Sequence, residues 1–263
     1  MFFVGIDIAW SDNNPTGIAV IEGDRESGAL ISVEIVETDG EIVDFVEEIV
    51  GEDNALITVD APLTVPNETG RRPAEDAVGK LFSKYDAGAH PANRKILSQW
   101  TGSIRGEDIV EKFEEKDFDH NPYVSRFEGS RKVMEVYPHP SMVALFDMDS
   151  ILKYKNKPGR DYEFLYNEFR KYQQHIKDLR NTEPSLKTPD LVRKEVEGKI
   201  GQELKAYEDK LDAVFCAYIG YFYWVRPDKC EVLGSEEEGY IMTPLKPDME
   251  EDLREFRNQK SSE

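Results

Sequence analysis

The run Phe2 to Ile8 is short, apolar and rich in β-branched residues, as a strand buried on both faces must be. Two further strand-like runs follow the turn cluster Ser11 to Pro15. These are Thr16 to Glu22 and Ala29 to Val36, joined by Gly23-Asp24-Arg25-Glu26-Ser27-Gly28. Three successive strands with short polar connections predict an antiparallel meander. Ile42, Val43, Phe45, Val46, Ile49 and Val50 then repeat with helical spacing as far as Gly51, and Ala55 to Asp60 is again apolar until Ala61-Pro62. The opening order is therefore β-β-β-α-β, which predicts an α/β fold with a mixed sheet flanked by helices.

Residues 63–130 are irregular and polar, broken by Pro66, Gly70, Pro73, Gly88, Pro91, Gly102 and Gly106, with short helices expected at Ala74 to Lys84 and Glu107 to Glu115. They read as a helical, irregular lobe inserted after the fourth strand. A strand is expected from Lys132 to Tyr137, closed by Pro138-His139-Pro140, then a helix-rich stretch from Ser141 to Leu179. A long helix from Gly201 to Trp224 carries Leu204, Tyr207, Leu211, Val214, Phe215, Tyr218 and Phe222 on its apolar side. Gly239 to Met242 suits an edge strand, and residues 245–263 read as an acidic tail that frays. The 263 residues are expected to form a single domain. The longest mostly apolar run, Leu211 to Val225, contains Asp212 and falls short of the roughly 20 residues of a membrane span, so no membrane association is expected. No secretory signal is visible at the N-terminus, and Cys216 and Cys230 are too few for a disulfide framework, which together point to the cytoplasm.

Carboxylates interrupt the most apolar segments. Asp7 lies between Ile6 and Ile8, Asp60 ends Leu56-Ile57-Thr58-Val59, Glu135 divides Val133-Met134 from Val136-Tyr137, and Asp212 sits on the long helix one turn from Asp209 and Glu208. An ionised carboxylate is costly in a buried strand unless it is paired or bound to a cation. Each acid alone has a bland explanation, a turn former or a solvated helix face, but recurrence in three apolar strands argues for a cluster. Clustered carboxylates suit Mg²⁺ or Mn²⁺, the ions that phosphodiester-cleaving enzymes use, whereas His90, His120, His139, His175 and the two cysteines form no zinc pattern.

The net charge of -20 argues against a polyanionic partner until its distribution is considered. Residues 1–60 and 231–263 together account for all of it. Basic islands occur at 67–105 and at 151–180, the latter with Lys153, Lys155, Lys157, Arg160, Arg170, Lys171, Lys177 and Arg180. Arg71, Arg72, Lys153, Lys155 and Arg160 are candidates for holding substrate phosphates, with solvated faces as the alternative. His139, between two prolines, is a candidate general acid or base, or a residue that hydrogen-bonds its own turn.

In order along the chain, Val4-Gly5-Ile6-Asp7-Ile8-Ala9-Trp10, Val59-Asp60-Ala61-Pro62-Leu63, Thr69-Gly70-Arg71-Arg72, Glu135-Val136-Tyr137-Pro138-His139 with Lys153 to Arg160, Lys210-Leu211-Asp212-Ala213 with Cys216-Ala217, and Glu238-Gly239-Tyr240-Ile241 resemble domain-of-unknown-function family 429. That family is described as predicted nucleases of the ribonuclease H fold. The resemblance implies an acidic site at the strand ends, with Asp7 at its centre, Asp60 from the fourth strand and Asp212 from the late helix; either Glu135 or Asp209 completes it. The expectation is thus a ribonuclease H-like, Mg²⁺- or Mn²⁺-dependent nuclease acting on nucleic acid, with Asp7, Asp60, Glu135 and Asp212 as metal ligands. Two alternatives stand beside it. The Asn13-Asn14-Pro15-Thr16-Gly17 turn resembles the phosphate-cradling hairpin of actin-like and sugar kinases, which suggests phosphoryl transfer or nucleotide binding, and a non-catalytic binding protein would use the acids structurally.

Overall fold

The computed structural model describes residues 1–8, 15–99 and 102–260. Its elements in chain order are β1 (Phe2–Asp7), β2 (Thr16–Gly23), β3 (Ser27–Val36), α1 (Asp39–Val50), β4 (Ala55–Val59), α2 (Pro73–Phe82), α3 (Arg94–Leu97), α4 (Arg105–Glu114), β5 (Asp119–His120), β6 (Arg131–Glu135), α5 (Pro138–Leu145), α6 (Tyr162–Asp178), β7 (Ser185–Lys187), α7 (Gly201–Val225), β8 (Cys230–Ser235), β9 (Gly239–Pro244) and α8 (Met249–Lys260). Seven strands form one mixed sheet in the order β5-β6-β4-β1-β2-β3-β7. β1, β2 and β3 form the antiparallel meander, while β4 joins β1 in parallel and β6 joins β4 in parallel.

The period of two along each strand assigns residues to layers. Phe3, Ala19, Ile21, Leu56 and Met134 face one core, closed by α6 and α7. Val4, Ile6, Ile18, Val20, Ile57, Val59 and Val133 face the other, closed by α1 and α4. Helix α1 starts at a capping box in which Thr38 accepts from the Glu41 amide and Glu41 accepts in return, so its entry onto the sheet is set locally.

Helix α7 lies unusually close to the sheet because glycines face it. A Cβ on Gly5 would stand 2.0 Å from the Ala213 carbonyl oxygen, and one on Gly17 would stand 2.1 Å from that of Asp209. Thr58 completes the attachment by donating its hydroxyl to the Cys216 carbonyl at 2.7 Å.

Two expectations need correction and one is met. Pro138-His139-Pro140 does not merely close a strand but forms the first turn of α5, where a helix needs no amide donors. The edge strand expected at Gly239 to Met242 is present as β9, which pairs with β8 in a separate two-stranded sheet. The tail does not fray from residue 245: Met249 and Leu253, one helical turn apart on α8, are buried against the core around α2 and the β8-β9 hairpin.

Candidate active site

Asp7 has the parity of Phe3 and Gly5, and Asp60 that of Leu56 and Thr58, so both carboxylates leave the C-terminal ends of adjacent parallel strands on the α7 side. Gly17, one strand further, lets the Asp209 turn of α7 rest on the sheet, and Asp212 follows one turn later on the same face. Three separate segments of chain thereby deliver four acids to one place. Asp7, Asp60 and Asp209 line a cavity of 360 Å³ with Asp86, His90, Tyr137, His139, Lys155, Lys157, Arg160 and Lys205.

The acids differ in what satisfies them. Asp212 is fully buried; its Oδ1 accepts from the hydroxyls of Tyr154 at 2.7 Å and Tyr172 at 3.1 Å, and its Oδ2 lies 3.1 Å from Lys155 Nζ. Asp209 Oδ1 pairs with Lys205, which also meets Glu208 at 2.9 Å. Asp209 Oδ2 has no hydrogen-bond partner among the described residues, and the Asp209 side chain lies beside Asp7.

Burial first, and then charge, accounts for the titration behaviour. Burial, with Asp7 close by, holds the Asp60 carboxyl well above the usual carboxylate range. Burial also raises Asp7, against the pull of Lys155 and with Asp212 adding to the rise. Asp209 is pushed up to about 8 by burial and by Asp7. Burial alone would lower Lys155, but Asp212, Asp7 and Asp60 outweigh it and keep the ammonium charged. Burial, then Lys155, pushes His139 down to about 3, so its imidazole is neutral; its Nδ1 has no partner among the described residues. Among those residues no group of three or more His, Cys, Asp or Glu side chains stands at metal-holding spacing.

Glu135 stands apart from the cluster. It has the parity of Val133, opposite to Met134, and leaves the sheet on the other side from Asp7 and Asp60. There it receives Arg72 through two bonds, Nη2 to Oε1 at 2.6 Å and Nη1 to Oε2 at 2.9 Å, and the Leu63 amide at 2.9 Å. Arg72 also donates to Glu75 and is 1 % exposed, so it has no free fork for a phosphate. Of the two candidates for completing the cluster, Asp209 is the one beside Asp7.

The other basic candidates also fall differently from expectation. Arg71 is exposed, Lys153 Nζ stands 3.6 Å from Asp86, and Arg160 caps the carbonyls of Lys153 at 3.0 Å and Lys155 at 2.7 Å. Lys155, a candidate for phosphate contact with a solvated face as the alternative, instead pairs with Asp212. Arg72, Lys153, Lys155 and Arg160 therefore do not line one groove. The hairpin turn at Asn13-Asn14 lies outside the described residues.

Sequence reasoning missed Lys205, Tyr154 and Tyr172. The spacing of Lys205 three and four residues before Glu208 and Asp209 was a usable signal. Tyr172 looks like any core aromatic on α6, and nothing in the sequence sets it apart.

None of the helices among the described residues is long and apolar enough to cross a membrane. No curated protein matches the chain. The model of the family described as "Protein of unknown function (DUF429)" matches residues 5–239, from β1 through the start of β9 and so across every acid of the cluster, and the chain belongs to that family.

Proposed function

We propose that the protein is a divalent-metal-dependent hydrolase that cuts phosphodiester bonds in nucleic acid, built on a ribonuclease H-like fold with residues 63–130 inserted after the fourth strand. The observation that carries this reading is the convergence of Asp7, Asp60 and Asp209 on one cavity, with Asp212 paired to Lys155 beside them; Lys157, Arg160 and Lys205 line the same cavity. The β-β-β-α-β order with acids at the strand ends is also what the family resemblance implies.

The donor chemistry suits Mg²⁺ or Mn²⁺. Every candidate ligand is a carboxylate oxygen, and Asp209 Oδ2 has no hydrogen-bond partner among the described residues. Asp7, Asp60 and Asp209 would hold the ion only by drawing together, since no three acids stand at metal-holding spacing among the described residues, while Asp212 is committed to two tyrosines and Lys155. Such an ion supplies positive charge to a phosphoryl group and makes water a stronger acid. His139 lines the cavity as a neutral imidazole, and the exposed Lys157 at the rim is available to a phosphate. The volume of 360 Å³ favours a second reading on the same residues, phosphoryl transfer on one small phosphorylated substrate, because it lies near the lower end of small-molecule sites.

The test is cleavage of labelled RNA, labelled DNA and bis-p-nitrophenyl phosphate with Mg²⁺ or Mn²⁺, by the parent and by Asp7→Asn. The parent should cleave and the variant should not, with melting unchanged. Equal rates would refute the site, and cleavage of the small ester alone would move the substrate to the second reading. Calorimetric titration with Mn²⁺ runs in parallel, so that metal binding is measured whether or not a substrate is found.

A further inference from the structure

We propose that a second, apolar hollow adjoining the acidic cavity is a base subsite, sized for a single-ring nucleobase whose phosphate lies in the cavity. The inference rests on the phosphoester reading above and names the group that the substrate carries beside its phosphate. The two spaces share Asp60, His90 and Tyr137, so one ligand can occupy both. Their chemistry differs. The cavity is charged, with Lys155, Lys157, Arg160 and Lys205 in its walls, whereas the hollow is walled chiefly by Ala61, Pro62, Ala89, Ala92, Val136 and Ile241.

The charged residues that reach the hollow are already satisfied by one another. Arg72 holds Glu135 through both Nη atoms and Glu75 through Nε, and Glu75 also accepts the Arg72 amide at 2.7 Å. A phosphate therefore finds no open counter-charge there, and an apolar ring leaves no ion unpaired. A base suits the lining better than a plain hydrocarbon does, because the backbone groups of Ala89 and His90 have no backbone hydrogen-bond partner among the described residues. His90 and Tyr137 add two flat rings where the two spaces join. Size sets the limit. A closed cavity of about 150 Å³ takes a benzene ring, and this hollow measures 80 Å³ but adjoins the larger space. One ring can enter by its edge, and a fused pair cannot.

The test is calorimetric titration of the protein with inorganic phosphate, ribose 5-phosphate, uridine 5′-monophosphate and adenosine 5′-monophosphate, in buffer containing Mg²⁺. The uridine nucleotide should bind at least about fivefold more tightly than ribose 5-phosphate, the gain expected from burying roughly 40 Å² of ring. The adenosine nucleotide should bind no more tightly than ribose 5-phosphate. Ala89→Leu and Ala92→Leu each place a branched side chain in the wall of the hollow and should bring the uridine nucleotide down to the ribose 5-phosphate value. Thermal melting checks that each variant is folded, and the ligand series on the parent decides the matter even if neither is. Equal affinities for the uridine nucleotide and ribose 5-phosphate, an adenosine nucleotide that binds as tightly as the uridine one, or a folded leucine variant that keeps the preference would each overturn the base subsite. So would a parent that cleaves phosphoesters yet binds none of the four ligands. A parent that neither cleaves nor binds would instead remove the phosphoester reading, and the subsite with it.

Discussion

Gly17→Ala tests whether the acidic cluster depends on how closely α7 lies on the sheet. The added Cβ would stand 2.1 Å from the Asp209 carbonyl oxygen and 2.5 Å from its carbonyl carbon, both backbone atoms that no rotamer change can move away. Ordinary contact needs about 3.5 Å, so α7 must retreat by roughly 1.3 Å at the turn that carries Asp209. Overpacking of this kind typically costs about 1 to 3 kcal/mol, and a clash with backbone on both sides belongs at the top of that range. For a domain of this size, about 3 kcal/mol lowers the melting temperature by roughly 6 to 12 °C. The same retreat withdraws Asp209 from Asp7, so Mn²⁺ affinity should fall along with stability. Gly40→Ala is the control, since its new Cβ meets nothing nearer than 3.8 Å on the first turn of α1 and should leave melting unchanged or slightly raised. Thermal melts and Mn²⁺ titrations of the three proteins decide the matter. A Gly17→Ala protein that melts and binds Mn²⁺ like the parent would refute the claim that this glycine sets the geometry of the site.

Three further outcomes are expected. Asp7, Asp60 and Asp209 titrate higher in the folded protein than in the unfolded chain, so between pH 4 and 8 the native state holds extra protons; metal-free stability should fall as pH rises, by about 1.4 kcal/mol per pH unit for each extra proton, and Asp209→Asn should flatten the slope in denaturant melts at pH 5 to 8. Arg72→Met leaves Glu75 and Glu135 buried without their counter-charge and should cost about 3 to 5 kcal/mol by urea denaturation, whereas Arg71→Met, at an exposed position, should stay within about 0.5 kcal/mol. A chain ending at Pro247 loses the burial of Met249 and Leu253 and should be about 3 to 5 kcal/mol less stable; an unchanged urea midpoint would mean that α8 contributes nothing to the fold.

What could be read from the sequence follows from the range of the interactions involved. The β-β-β-α-β order was legible because strands near Phe2, Thr16 and Ala29 and the helix at Ile42 declare themselves by local periodicity and turn chemistry. Asp7 and Asp60 were legible for a related reason, since a charge inside an apolar strand is a local anomaly. The short strands β5 and β7 were not, because two or three residues carry no period. Glu135 shows the limit most clearly. Its local signature matches that of Asp7, an acid flanked by apolar residues in a buried strand, yet one residue of parity turns it to the opposite layer, where Arg72 arrives from 63 positions away. Nothing local to Glu135 announces that partner, just as nothing local to Lys155 announces Asp212, 57 positions along the chain. The missing information concerns the pairing of charges across the fold. In this protein that pairing decides which buried acids have a cationic partner. Parity along β6 excludes Glu135 from the cluster. The close approach of Gly5 and Gly17 to α7 admits Asp209 in its place, by a contact made entirely through backbone that leaves no trace in the pattern of acids.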